Sequence, residues 1–321
     1  MEDNVMKVVD SAHGGKGWVE RGMYHQSDIG LIWSNCGVFS ETDELKHVLL
    51  HRPGQEIENI RDHNEVLWTE ILDSKRAREQ HDNMAEIYKQ NNVIVDYIDA
   101  EDLSNNYPNL YFCRDLFTMT PQGAIISRLA SKVRAGEELL AAKKMMQLDI
   151  PIIATAHGDM YLEGPDVVIV NQDLVFIGIG IRTNIQAAYF VEKLLKIQGF
   201  SEIIFIQTTY GCGHLDGVFN LINAKHAAIV PKRASYEIYS NLKRHGFSIL
   251  DLNNKQEVDE GMSINFVPLN SETILINSLP REAIKSYESL GIECIQVDVS
   301  ELMKGGGSVH CMTGVLRRKK H

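Results

Sequence analysis

The sequence predicts an α/β protein in which a strand–strand–helix–strand unit of about 50–60 residues recurs about five times within one domain. Three observations predict it. From Leu45 onward, short β-branched runs alternate with longer stretches carrying apolar residues at helical spacing. The order of these runs repeats, which marks a radial or stacked architecture. No Pro/Ser-rich linker or low-complexity tract divides the 321 residues, so the length need not be shared between two domains.

Taken in order, residues 1–35 stand apart. Gly14, Gly15 and Gly17 interrupt the pattern and no clean period emerges, so this stretch reads as an arm or lid ahead of a single domain over 36–321. Val48-Leu49-Leu50 reads as a strand stopped by Pro53-Gly54. Leu67, Ile71, Met84, Ile87 and Tyr88 fall at helical spacing within 65–91 and predict a helix there. The β-branched run 93–98 predicts a strand. The cadence then returns: strands at 116–120 and 124–128, a helix at 136–146, a strand at 151–154. The next unit has strands at 167–170 and 174–179, a helix at 184–197 and a strand at 202–207. Another has strands at 217–222 and 226–230, a helix at 234–245 and a strand at 247–250. The last has strands at 263–267 and 272–276, a helix at 280–290 and a strand at 292–297.

Composition narrows the function classes. Apolar residues make up 44% and charged residues 23%, ordinary for a globular protein with a sizeable core. Lys plus Arg number 32 against 43 Asp plus Glu, a formal charge of -11, so the basic footprint of a nucleic-acid or anionic-membrane binder is missing. The longest apolar run, at 174–181, is strand-sized and far short of the roughly 18 residues of a spanning helix. The acidic start Met1-Glu2-Asp3 lacks the basic-then-apolar layout of a secretion signal, and a cytoplasmic location is expected. Five scattered cysteines with no Cys-x-x-Cys pair argue against a disulfide framework or zinc knuckle, and leave room for a reactive thiol.

Four local motifs could carry chemistry. Gly305-Gly306-Gly307 lets backbone approach a ligand closely and is followed at once by His310 and Cys311. The plainer alternative is a flexible turn before a final strand with a buried thiol. It is not a phosphate loop, because the Gly-x4-Gly-Lys-Ser/Thr spacing is absent. Gly211-Cys212-Gly213-His214-Leu215-Asp216 would place His214 and Asp216 on one face of an extended segment, about 6–7 Å apart. Arg114-Asp115 and Glu163-Gly164-Pro165-Asp166 each sit just before a strand, where an acidic residue alone is more often a turn former. All four lie at equivalent ends of the recurring unit, which a radial fold would bring to one axis. His47 and His51 span a strand, so they lie about 13 Å apart and make no metal pair. His310, beside Cys311 in a chain read as extended, would face away from it.

With these motifs together, residues 40–318 resemble the guanidine-modifying superfamily of arginine deiminases, dimethylargininases and amidinotransferases. The opening from Ser40-Glu41-Thr42 through Leu45, Val48 and Leu49 to His51-Arg52-Pro53-Gly54 is similar to that family's first strand, and Ala77-Arg78-Glu79-Gln80-His81-Asp82 to its first helix. The Arg-Asp, Glu-Gly-x-Asp, His-Leu-Asp and Gly-Gly-Gly-x-x-His-Cys steps occur in the family's order, with Pro165 where its second Gly is usual. The resemblance implies a five-bladed αβ-propeller, a pentein of repeated ββαβ units. The arginine deiminase branch is nearest. There an Asn and two arginines hold the substrate's α-carboxylate, and Asn109 lies six residues before Asp115, Arg134 nineteen after it and Arg182 nineteen after Glu163, as that branch requires. Only 63 residues separate Arg52 from Asp115, a size nearer to dimethylargininases and arginine dihydrolases.

The implied chemistry suits these side chains. A guanidinium is a planar cation whose edges carboxylates grip in bidentate fashion. Asp115 and Asp216 would clamp it, and Cys311 would attack the central carbon as a thiolate. A free Cys ionises near pH 8.5, so the bound cation would itself favour the thiolate. His214 would protonate the leaving ammonia and then activate water, with Glu163 orienting it. Asn109, Arg134 and Arg182 would select a free carboxylate. The expected activity is hydrolysis of a guanidino amino acid, L-arginine to citrulline and ammonia first, without metal or organic cofactor. The alternatives are an amidinotransferase passing the group to an amine, a dimethylargininase or dihydrolase variant, and a binding protein that keeps the fold without turnover. The expected partner is a small guanidino amino acid, not nucleic acid or membrane. Assembly as a homo-oligomer is left open.

Overall fold

The computed structural model of the chain describes residues 18–19, 21–22, 24–98 and 107–319. The elements run β1 (Glu44–Leu50), α1 (Ser74–Gln90), β2 (Ile94–Tyr97), β3 (Phe117–Thr120), β4 (Gly123–Ile126), α2 (Glu137–Gln147) and β5 (Ile152–Thr155). They continue β6 (Val167–Ile169), β7 (Leu174–Ile179), α3 (Ile185–Ile197), β8 (Glu202–Gln207), β9 (Phe219–Asn223), β10 (His226–Ile229), α4 (Tyr236–Arg244), β11 (Ser248–Asp251) and a short α5 (Lys255–Asp259). The chain ends with β12 (Val267–Pro268), β13 (Thr273–Asn277), α6 (Arg281–Ser289), β14 (Glu293–Val297), α7 (Val309–Met312) and β15 (Gly314–Lys319).

The strands form five three-stranded sheets, β15-β1-β2, β3-β4-β5, β6-β7-β8, β9-β10-β11 and β12-β13-β14. Within each, the first pair is antiparallel and the second is parallel across a helix, as in β6–β7 and β7–β8. This is the five-bladed ββαβ propeller that the cadence and the resemblance predicted. One feature lay outside the cadence. The last strand, β15, pairs with β1 (Val48 opposite Val315, Leu49 opposite Gly314), so the two ends of the chain build one blade and close the ring. β15 packs against β3, and β9 against β12, so the first strands of the blades surround a common axis. Every residue of β3 and β6 is buried; β6 accordingly reads as unbroken apolar sequence, whereas β3 buries Thr118 and Thr120 alongside Phe117 and Met119.

The helix predicted over 65–91 begins nine residues later. Leu67 has left-handed backbone (φ 66°), which no α-helix continues, and Asp73 starts α1 by accepting from the Arg76 amide. Ala77, Met84, Ala85 and Tyr88 form its buried stripe. Of the predicted arm, residues 1–17, 20 and 23 lie outside the described residues. Its later part rests on the β3–β4 blade, with His25 Nε2 at 3.0 Å from the Gln122 carbonyl and the Ser34 amide donating to Asp149. Among the described residues, no helix is long and apolar enough to cross a membrane.

This topology positions the site. The first strand of every blade is entered at the same end of the axis, so the residues just before β3, β6, β9, β12 and β15 converge there.

Candidate active site

Four of those five entrances carry the residues singled out by sequence. Asp115 lies in the 3-10 turn Cys113–Leu116 before β3, and Glu163 immediately before the turn Gly164–Asp166 that leads into β6. His214 and Asp216 precede β9, and Cys311 sits on α7 before β15. A cavity of about 130 Å³ opens at this end, lined among others by Asn109, Asp115, Arg134, Arg182, His214 and Cys311. Glu163 and Asp216 do not line it; each stands one layer behind, against a histidine.

His214 Nε2 lies 2.6 Å from Glu163 Oε2, and Glu163 is wholly buried. Burial opposes charging His214, but the carboxylates of Asp115, Glu163 and Asp166 outweigh it and hold the imidazolium up to about 10. Glu163 is correspondingly held well below the usual carboxylate range: burial raises it, and the His214 contact and the charges of Arg182 and Arg134 more than reverse this. Arg182 Nη1 reaches Glu163 at 3.4 Å, a loose pair with the guanidinium partly open to the cavity. Burial pushes the neighbouring Asp166 up to about 6, although its Oδ1 accepts the Leu215 amide.

Arg134 is differently placed. It pairs with Asp115 through Nη1, gives Nε and Nη2 to Glu137 at 3.0 and 2.7 Å, and is buried. Nη2 also faces the carbonyls of Asn109 and Phe112 at 3.4 and 3.3 Å. Glu137 was not predicted; it is fully buried, and burial lifts it to about 7 despite Arg134. Its spacing of three from Arg134 at a helix start was the signal available. Among the described residues, Asp115 Oδ1 is buried without a hydrogen-bond partner, a costly state that a cationic donor in the cavity relieves. The Asn109 amide is engaged on both sides, accepting from Trp68 Nε1 at 2.7 Å and donating to the Val66 carbonyl at 2.8 Å.

The segment carrying His214 and Asp216 is extended only at His214; Leu215–Gly217 then forms a 3-10 turn. The two side chains therefore go to separate partners. Asp216 Oδ2 meets His310 Nδ1 at 2.7 Å, both buried. His310, expected in an extended chain to face away from Cys311, lies on a turn of helix and does not line the cavity; its Nδ1 goes to Asp216. Asn265, at the fifth strand entrance, donates from Nδ2 to Cys311 Sγ at 2.9 Å, and neither it nor His310 was picked from sequence. Burial pushes the Cys311 thiol up, the charges of Asp216 and Asp115 push it further, and the Asn265 and Ser308 contacts act the other way. The three glycines are accounted for: Gly306 is left-handed (φ 95°), a Cβ on Gly305 would meet Tyr111 Oη at 1.8 Å, and one on Gly307 would meet Phe112 at 2.7 Å and Cys311 Cβ at 2.8 Å.

Asp115, Glu163 and His214 offer ligand atoms within 4.8 Å of one another, the geometry of a cation site. Two guanidinium groups, Arg134 and Arg182, already pair with these carboxylates, which disfavours a metal ion and matches a guanidinium better.

Five ββαβ blades with this site at the strand entrances belong to the guanidine-modifying pentein superfamily. Residues 58–318 match the family described as N,N dimethylarginine dimethylhydrolase, eukaryotic. The chain is 29% identical to the uncharacterized protein YkgA of Bacillus subtilis, over 76% of this chain and 81% of that one. It is 24% identical to the arginine deiminase of Borrelia recurrentis, over 88% and 98% respectively. Its fold superposes with a TM-score of 0.70 on a mutant DDAH from Pseudomonas aeruginosa complexed with citrulline, at 19% identity, covering 85% of this chain and 99% of that one. The chain belongs to the N,N-dimethylarginine dimethylhydrolase family, and is a hydrolase of amidine C–N bonds.

Proposed function

We propose that the protein hydrolyses the guanidino group of a free arginine-type amino acid, with L-arginine to citrulline and ammonia as the leading reaction. The observation that carries this reading is the buried, unpartnered Asp115 Oδ1 in a cavity that also presents Cys311 and His214. A guanidinium edge satisfies that oxygen with a charge-assisted hydrogen bond, typically about 1.5–3 kcal/mol. Asp216, one layer behind the cavity wall, acts on the site through His310 and through the charge it places near Cys311.

Burial and the nearby carboxylates keep Cys311 protonated; the bound cation offsets them, so on substrate binding the thiol releases its proton to solvent and becomes a thiolate. Sγ forms a bond to the guanidino carbon; His214, charged in the free enzyme, gives its proton to the departing nitrogen, and ammonia leaves. Neutral His214 next takes a proton from water, whose oxygen attacks the thiouronium carbon, and the C–S bond breaks to give the ureido product. Glu163 fixes the imidazole throughout. Arg182, the looser of the two cavity arginines, is the better placed to take the α-carboxylate, while Arg134 serves chiefly to position Asp115. The family match favours a second reading, Nω,Nω-dimethylarginine, which differs only in releasing dimethylamine.

The test is incubation of wild type and Cys311→Ala with arginine and with dimethylarginine, following citrulline colorimetrically and the released amine by mass spectrometry. Citrulline from the wild type alone, with a mass-trapped Cys311 adduct, supports the proposal, and the amine chooses the substrate. Ornithine plus a new guanidino compound on adding an amine would replace hydrolysis with transfer. No product from either substrate would sink it.

A further inference from the structure

The propeller repeats one local pattern: the residue at each first-strand entrance points at the axis end where the cavity lies. Four entrances supply Asp115, Glu163, the His214–Asp216 pair and Cys311. The fifth, before β12, supplies Asn265. Its amide is used completely toward the nucleophile's turn. Oδ1 accepts the His310 amide at 2.8 Å and faces the Cys311 amide at 3.4 Å, and Nδ2 donates to Cys311 Sγ at 2.9 Å.

The seat of Asn265 is held from three sides. Asn220 Nδ2 donates to the Ile264 and Phe266 carbonyls at 3.0 and 2.8 Å. Tyr287 Oη donates to the Ser263 carbonyl, and Asn277 Nδ2 to that of Gly261, each at 3.0 Å. Met262 turns the loop with a left-handed backbone (φ 45°). A group that merely filled space would not need its two flanking carbonyls and two further turn carbonyls tied down.

We propose that Asn265 is a positioning residue for the reaction: its Oδ1 seats the turn that carries Cys311, and its Nδ2–H stabilises the thiolate. This rests on the reading of Cys311 as nucleophile. The charged groups acting on Sγ are Asp115 and Asp216, and His214, Arg134 and Arg182 line the same cavity. Burial first, and then these two carboxylates, hold the sulfur protonated, and the neutral donor aimed at it is a local contact that acts the other way. A carboxylate at position 265 would still accept both amides but would add a third negative charge and no donor.

The experiment uses the full chain as wild type, Asn265→Asp and Asn265→Ala. Iodoacetamide labelling of Cys311 is followed by peptide mass spectrometry from pH 6 to 10 (about one unit per step), alongside kcat and KM for arginine. We expect the Asn265→Asp labelling profile to move up by about one pH unit, roughly tenfold slower at fixed neutral pH. We expect kcat to fall about tenfold or more while KM stays within about threefold, the signature of a group acting on the nucleophile rather than on binding. Asn265→Ala should label slowly too. Because Asn265→Asp keeps a side-chain oxygen to accept the His310 and Cys311 amides, it decides the matter if Asn265→Ala does not fold. Wild-type labelling profiles in Asn265→Asp, or a rise in KM with kcat unchanged, would overturn the inference. If Cys311 labelling shifts as expected but no guanidino acid is turned over by the wild type, Asn265 keeps its role and the proposed reaction falls instead.

Discussion

Two histidine–carboxylate pairs flank Cys311, and they are nearly the same object in different places. His214–Glu163 spans 2.6 Å and His310–Asp216 spans 2.7 Å. The first presents its imidazole to the cavity with its carboxylate behind; the second is buried altogether, behind the nucleophile's turn. Geometry of the pair therefore does not define its function. Access to the reacting atoms does, since a proton-transfer group must reach within a hydrogen bond of the substrate. The His214 pair can move a proton to and from the cavity, while the His310 pair holds a carboxylate and a helical turn in register.

The sharpest way to break this contrast is to truncate each histidine. His214→Ala is expected to lower kcat by about 10²–10⁴, the range for loss of a general acid–base. His310→Ala should cost less activity and more stability, because it strands the Asp216 charge in a buried site, a loss of about 3–5 kcal/mol. Glu163, by contrast, keeps Arg182 at 3.4 Å when His214 is removed. The two variants should therefore cross over: His214→Ala worse in steady-state kinetics, His310→Ala worse in urea unfolding. The same order in both assays would mean the two pairs are not divided as described.

Next in size is the effect of Glu163→Gln on pH dependence. His214 is held up to about 10 largely by its carboxylate neighbours, so loss of Glu163 should move the alkaline limb of kcat/KM down toward the ordinary histidine value of 6.5. Measured profiles of wild type and variant decide this, and an unmoved limb would take Glu163 out of the role of partner.

How much of this was legible in the sequence follows from which signals are local. The strand runs were, because strands buried on both faces read as unbroken apolar stretches such as 174–179. The start of α1 was not: Leu67 and Ile71 continue the helical spacing by chance, and only the left-handed turn at Leu67 and the Asp73 cap break it. The closure of the ring by β15 and β1 joins residues about as far apart in sequence as the chain allows, and no periodicity reports that. At the site, glycine-flanked motifs revealed Cys311 and His214. Asn265 lies in Ser263-Ile264-Asn265-Phe266, which looks like ordinary strand entry; only the fivefold equivalence of entrances could have pointed to it. His310 does stay out of the cavity, but the helical turn that sends it to Asp216 is not legible where the sequence reads as extended chain. Glu137 looks like a solvated helix-start acid until Arg134 is seen to be buried beside it.

A smaller effect concerns Asp166, which stands beside the His214 pair but is not part of it. Its Oδ1 accepts the Leu215 amide, and burial lifts it to about 6 from an ordinary 3.8 against the pull of His214 and Thr183. A folded-state value above the unfolded one means the native state binds the proton more tightly. The resulting stability is present below about 3.8 and is lost as the pH rises through about 6. Asp166→Asn, which carries no charge at any pH, should therefore gain on the wild type across that window and hold a constant advantage above it, provided the amide oxygen keeps the Leu215 contact.

The last prediction uses pH to separate the two flanking pairs themselves. For His214, raised above 6.5 in the folded protein, the contribution to stability is whole below that value and drains away as the pH approaches about 10. Glu163 and Asp216 are both lowered, so their contributions are present above the ordinary carboxylate range and are lost as the pH falls below it. The stability gap between wild type and Glu163→Gln should thus be widest between about 4.5 and 6.5 and narrow on both sides, and that between wild type and Asp216→Asn should close on acidification. The gap itself should be about 1–3 kcal/mol, the cost of losing a hydrogen bond between charged groups. Urea midpoints at pH 4, 6 and 9 (about the two shoulders and the centre) measure it. A Glu163→Gln gap that widens toward alkaline pH would show that the imidazole beside it is not held charged, and with it the proton that the leaving nitrogen needs would be missing from the free enzyme.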